Sequence, residues 1–207
     1  MYDDKKRRLF GLKKLYITFV SLLVICIGIG IFYFTVYRQG KMEFPKNVVM
    51  ETAWGEQYSF DNMKPKVRLL EFIYTNCPDI CPNTTFQMQK LREKLEKQNV
   101  FGNKVEFITI TVDPKRDTRE KLQAYAKTFG IKENDKGWLL LRGSEEDTKK
   151  VADAFNFRYR DPGNGMIIHS TVTYLLDENN RVIEQFGMGE KGFKQNEVYE
   201  TIMKEIK

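Results

Sequence analysis

The chain has 207 residues, 42% hydrophobic and 30% charged, with three cysteines, one histidine and a formal net charge of +6. That is ample apolar material for one packed domain of ordinary size plus an extra segment, and it excludes an unfolded chain. The charge does not make a nucleic-acid footprint. Residues 1–14 carry six basic against two acidic side chains, a local +4, and only +2 is left for the 170 residues after Tyr37, where Lys and Glu alternate as on a solvated surface.

Leu15 to Tyr37 is an uncharged, mostly apolar run of 23 residues. As a helix it would be about 35 Å long, enough to cross a bilayer core of about 30 Å. Tyr16, Tyr33 and Tyr37 fall near its ends, where aromatic belts sit. The expected order is a basic cytoplasmic tail (1–14), a single transmembrane anchor in membrane lipid (15–37) and a short polar linker (38–47). An extracytoplasmic domain (48–207) follows. The positive cluster before the span sets this orientation. No small-residue cleavage site follows the run, and Ile25 ahead of Cys26 argues against a lipid-modified cysteine, so Cys26 reads as an embedded thiol without chemistry. The acidic pair Asp3–Asp4 argues against a mitochondrial transit peptide and for a bacterial source.

The exported part alternates strands and helices. Residues 50–63 predict a small hairpin turning at Gly55. Val67–Tyr74 (VRLLEFIY) predicts a strand, and a helix follows from near Cys77 to about Gln98, with Phe86, Met88, Leu91 and Leu95 on one face. Val105–Val112 predicts a second strand. The next helix has an Asp117/Glu120 capping box, a buried face of Leu122, Tyr125, Ala126 and Phe129, and an end at Gly130. WLLLRG predicts a third strand. Ser144 caps a helix to about Phe155 with Val151, Ala154 and Phe155 inward. HSTVTYLLDENNRVIEQFGMG predicts a hairpin turning at 178–180, and a closing helix carries Val198, Ile202 and Ile206. The order implies an α/β, thioredoxin-like fold: a mixed sheet flanked by helices, with functional loops at the carboxyl ends of the parallel strands. Cys77 and Asp113 both fall at that edge.

The chemistry concentrates in NCPDICP, Asn76 to Pro82. Cys77 and Cys81 are the exported part's two cysteines. If a helix starts near Cys77, both lie on one face at its N-terminus, where thiolate is favoured. A static disulfide would close so short a loop that it would constrain the unfolded chain little. A redox couple is open, although thioredoxin-type pairs are one residue closer. A metal site is open too. The lone imidazole, His169, follows the irregular stretch RYRDPGNGMII, and in a thioredoxin-like fold that segment faces the dithiol. Two thiolates and an imidazole favour copper, with zinc as rival. Met88, Met166 and Met188 offer further sulfurs that read better as packing. A peroxidase of peroxiredoxin type would need a different loop around its cysteine, and a 14-residue tail is too short for a signalling domain.

FIYTNCPDICP, ITVDPKRDT and IIHSTVTYLLDENNRVI, in that order, resemble the Sco/SenC family of copper chaperones for cytochrome c oxidase. The resemblance covers about Ala53 to Gly189. It implies that Cys77, Cys81 and His169 bind one copper ion, as Cu(I) or Cu(II), and that the protein helps build the binuclear copper centre of oxidase subunit II. Some relatives look more like thiol:disulfide oxidoreductases, in which Cys77 and Cys81 would be the redox-active pair. An upstream copper donor or thiol reductant is then a further partner. Many relatives have an acidic residue just before the histidine, where this chain has Ile168. The orientation of His169 must then come from elsewhere, with Asp113 the leading candidate and Asp117 reading better as a helix cap. Ile73 stands where relatives often have glycine.

Overall fold

A computed structural model describes residues 2–33 and 42–206, in two compact units divided after residue 41. Among its described residues the first unit has one helix, α1 (Tyr2–Phe32), in which the basic tail and the apolar run are continuous. Residues 34–37 of the expected span and 38–41 of the expected linker lie outside the described residues. None of the stretch Lys13–Phe32 is buried, and it is long and apolar enough to cross a membrane. Its serine and threonine hydroxyls are satisfied within the helix. Thr18 donates to the Lys14 carbonyl at 2.9 Å and Ser21 to the Ile17 carbonyl at 2.8 Å, as a helix surrounded by hydrocarbon requires.

The second unit is built on a seven-stranded mixed sheet. Its strands are β1 (Val49–Thr52), β2 (Gln57–Ser59), β3 (Val67–Ile73), β4 (Val105–Thr111), β5 (Trp138–Arg142), β8 (Val172–Leu176) and β9 (Val182–Gly187), in the order β2-β1-β5-β4-β3-β8-β9. β3, β4 and β5 run parallel, while β1, β8 and β9 are antiparallel to their neighbours. The helices are α2 (Ile80–Lys97), α3 (Arg119–Thr128), α4 (Glu145–Ala154), the single turn α5 (Gly189–Gly192) and α6 (Gln195–Glu205). A separate two-stranded ribbon pairs β6 (Tyr159–Arg160) with β7 (Ile168–His169). The fold is the thioredoxin-like mixed sheet flanked by helices.

β3 and β4 are buried along their whole length, which is why both read as near-continuous apolar runs. Along β3, Phe72 packs against Phe155, Phe157 and Tyr174 with ring centroids 4.5–6.3 Å apart. Glu71, on the other face of the strand, lies in register with Thr109 of β4. Arg68, also buried, bonds its register partner Glu106 at 2.9 Å and Asn180 in the β8–β9 turn at 2.7 Å.

Several expectations are corrected. The linker is shorter than expected, because Met42 and Phe44 are core residues. Phe44 stacks on Phe60 at 4.4 Å and meets Phe155 edge-on at 4.9 Å. Phe86 is 44% exposed and lies beneath the Lys90 ammonium, while Thr84 and Thr85 take the inward positions. The cap of α3 is Thr118, whose hydroxyl accepts the Lys121 N–H. Asp117 is buried and faces inward instead. His169 sits on the ribbon, ahead of the β8–β9 hairpin.

Candidate metal centre

The loop between β3 and α2 presents the cysteines. α2 begins at Ile80, three residues later than a start at Cys77. Cys77 therefore precedes the helix, and Cys81 lies in its first turn. The backbone N–H of Cys81 points at the Cys77 sulfur, 3.4 Å away, so Cys77 serves the free donors of the helix N-terminus as a capping side chain would.

His169 comes from the ribbon. Its Nδ1 lies 2.7 Å from the Ser170 carbonyl. A carbonyl only accepts, so Nδ1 carries the proton and Nε2 presents a lone pair. Nε2 faces the Cys81 sulfur at 3.7 Å. The two sulfurs and an imidazole nitrogen all lie within 4.8 Å of one another. Tyr74 meets the imidazole edge-on and Phe157 stacks on it, each with centroids 5.8 Å away. Cys77 and Cys81 are buried and His169 is half-buried.

The two thiols are electrostatically unequal. The Cys81 S–H donates to Cys77, and with His169 and the backbone N–H groups of Cys81 and Asp79 it outweighs burial and holds the Cys77 thiol down to about 4. The same hydrogen bond, together with burial, pushes Cys81 far up. The His169 imidazole is raised: burial opposes its charge, but Cys77 and the Ser170 carbonyl favour it more strongly. The reduced pair is thus a thiolate at Cys77 and a thiol at Cys81, a set that becomes two thiolates once a cation replaces the shared proton.

Asp113 does not join this group. Its carboxylate pairs with Arg116, which also reaches Asp161 at 3.1 Å, and its N–H bonds Thr111. The backbone carbonyl of Ser170 supplies the partner at Nδ1, which accounts for the tolerance of Ile168, an exposed residue. Met88 and Met188 are buried as packing, whereas Met166 is half exposed on the loop ahead of His169. Three contributors escaped sequence reading. Tyr74 and Phe157 wall the imidazole, and the only signal for them was their place beside the motif and the loop. Asp117 fixes the cysteine loop: its carboxylate takes the Thr75 N–H at 3.0 Å and the hydroxyls of Thr75 and Thr111.

The SCO1/SenC family model matches residues 46–207. The chain belongs to that family. A SCO2-like protein of Rickettsia prowazekii is 38% identical over 140 residues, which are 64% of this chain and 63% of that relative's length. Among solved structures, a SCO1/SenC family lipoprotein from Bacillus anthracis superposes with a TM-score of 0.69 at 27% identity, covering 80% of this chain and 97% of the other. Arabidopsis thaliana ScoI, solved with copper bound, gives 0.67 at 27% identity over 80% of this chain and 98% of the other. The Cys-x3-Cys pair with its histidine is the SCO1/SenC chain's candidate metal site.

Proposed function

We propose that the chain is a membrane-anchored copper metallochaperone. Cys77, Cys81 and His169 would hold one copper ion as cargo, with α1 in the lipid, the N-terminus in the cytoplasm and the domain outside a bacterial cell membrane. The observation that carries this reading is the convergence of two sulfurs and a lone-pair nitrogen within 4.8 Å, a soft set suited to copper. Copper leaves by ligand exchange, each of the three ligands being replaced in turn by a cysteine or histidine of the acceptor. The acceptor is cytochrome c oxidase subunit II, whose binuclear copper centre is being built. The half-exposed His169 is the ligand an acceptor reaches first.

The unequal thiols favour a second reading, a thiol:disulfide oxidoreductase. The Cys77 thiolate attacks an exported protein's disulfide, one of its sulfurs leaves as thiolate, and a mixed disulfide forms. Cys81 then loses its proton and attacks the Cys77 sulfur, releasing the partner as a dithiol. Two electrons pass to the partner, and an upstream thiol reductant must restore the pair.

Copper titration of the reduced full chain in detergent, against a competing chelator, separates the two readings. One tight equivalent that is lost in His169→Ala supports the chaperone. Equal uptake by both proteins, or none, leaves the oxidoreductase, since thiol exchange does not need the imidazole.

A further inference from the structure

Tyr74, the residue after β3, touches all three candidate ligands. Its carbonyl accepts the Cys77 N–H at 3.1 Å, its own N–H faces the Cys81 sulfur, and its ring meets the His169 imidazole edge-on with centroids 5.8 Å apart. Any residue here would bring the backbone contacts, and a phenylalanine ring would fill the same buried space. The hydroxyl is the part that the site as described leaves unused, and a buried phenol needs partners for it.

Those partners belong to two different segments: the Cys77 side chain and the Ile167 backbone. A backbone N–H only donates, and a phenol has one proton to give. The hydroxyl therefore accepts from Ile167 and donates to the Cys77 sulfur. Ile167 is buried and immediately precedes β7, which carries His169. That ribbon is separate from the main sheet, so no ladder of strand hydrogen bonds sets it over the cysteines. Cross-links from the cysteine loop must do so. The Asn76 amide to the Gly165 carbonyl is one at 3.2 Å, but it is exposed, and water competes for it. The Tyr74 link is buried, where a hydrogen bond is stronger.

We propose that the Tyr74 hydroxyl is a latch between Cys77 and the segment that delivers His169, a positioning residue that sets how readily copper leaves. It acts in two ways. It holds Ile167, and with it His169, over the cysteines. It also draws electron density from the Cys77 sulfur, as hydrogen bonds to metal-bound thiolates do. His169 is the ligand that an acceptor replaces first, so the hold on its segment governs the release rate, and the effect on sulfur is read in the spectrum. Only hydrogen bonds change; no proton or electron is transferred. The inference rests on the reading of Cys77, Cys81 and His169 as ligands.

The test compares the full chain in detergent with Tyr74→Phe, which keeps the ring and its edge contact with His169. Copper(I) release to a competing chelator should quicken about tenfold, the effect of losing one hydrogen bond to a charged group. In the copper(II) forms, the sulfur-to-copper charge-transfer band should move to lower energy in the variant, because a sulfur without its donor gives up charge more easily. A role in packing alone would leave that band in place. Amide exchange at Ile167 should quicken while exchange in β3 and β4 keeps its wild-type rate, which shows an intact fold. Copper uptake by both proteins with an unchanged release rate, or with an unmoved band, would overturn this inference alone. No uptake by wild type would overturn the ligand reading and this inference with it.

Discussion

The carboxylate of Asp117 accepts the backbone N–H of Thr75 at 3.0 Å, two residues ahead of Cys77. It also takes the Thr75 and Thr111 hydroxyls, so one buried side chain joins the ends of β3 and β4 to the cysteine loop. Asp117→Ala leaves the Thr75 N–H and two hydroxyls without their acceptor. The expected cost is about 2–3 kcal/mol, read by thermal unfolding, together with weakened metal uptake. Asp117→Asn keeps an acceptor and should recover part of both. Unchanged stability in the alanine variant would remove Asp117 from this role.

The reduced dithiol should titrate asymmetrically. Ultraviolet thiolate absorbance should report one thiolate at neutral pH that is lost as pH falls through about 4, and a thiol-alkylating reagent should modify Cys77 well before Cys81. Linkage gives the sign for stability. The depressed Cys77 contributes stability in full above the unfolded thiol range near 9 and loses it progressively as pH falls to about 4. The raised Cys81 acts oppositely, costing stability as pH rises above that range. The reduced protein should therefore be most stable between these limits. The disulfide form should lack this dependence, and identical pH profiles for the two forms would contradict it.

The loop ahead of His169 is held by polar contacts to the domain, among them Asp161 to Arg116 at 3.1 Å, the Gly165 carbonyl to the Asn76 amide at 3.2 Å and the Ile167 backbone to the Tyr74 hydroxyl. Asn76→Ala removes the contact beside Cys77. Amide hydrogen exchange should quicken across residues 163–167 and slow again when metal closes the site. Exchange that ignores both changes would show that these contacts do not order the loop.

Phe44 tests where the folded unit begins. Truncating its ring removes the stack on Phe60 and the edge contact with Phe155, and Phe44→Ala should cost about 3 kcal/mol. A chain starting at Met42 should unfold at a higher temperature than one starting at Val48. Equal unfolding temperatures would return residues 42–47 to the linker.

Much of this protein was legible in its sequence because its strongest signals are local. β3 and β4 are continuous apolar runs, Ser144 caps α4 by its own side chain, and Cys77 and Cys81 sit four residues apart at a strand-to-helix junction. What escaped depends on tertiary contacts. Asp117 precedes a threonine that makes the better cap, so local chemistry alone could not show that its carboxylate turns inward to Thr75 and Thr111. Phe44 looked like part of a stalk because its partners are Phe60 and Phe155, the latter far along the chain. The orientation of His169 comes from a backbone carbonyl, which no side-chain pattern encodes. Glu71 did leave a trace, a carboxylate inside an otherwise apolar strand, but its hydroxyl partners are spread over α2 and β4.

X-ray absorption of the copper-loaded full chain, recorded for wild type and His169→Ala, tests the proposed ligand set most directly. The expected wild-type shell is two sulfurs and one nitrogen, with the nitrogen lost or replaced in the variant. A wild-type shell without sulfur, or a nitrogen contribution unchanged when His169 is gone, would contradict a site built from Cys77, Cys81 and His169.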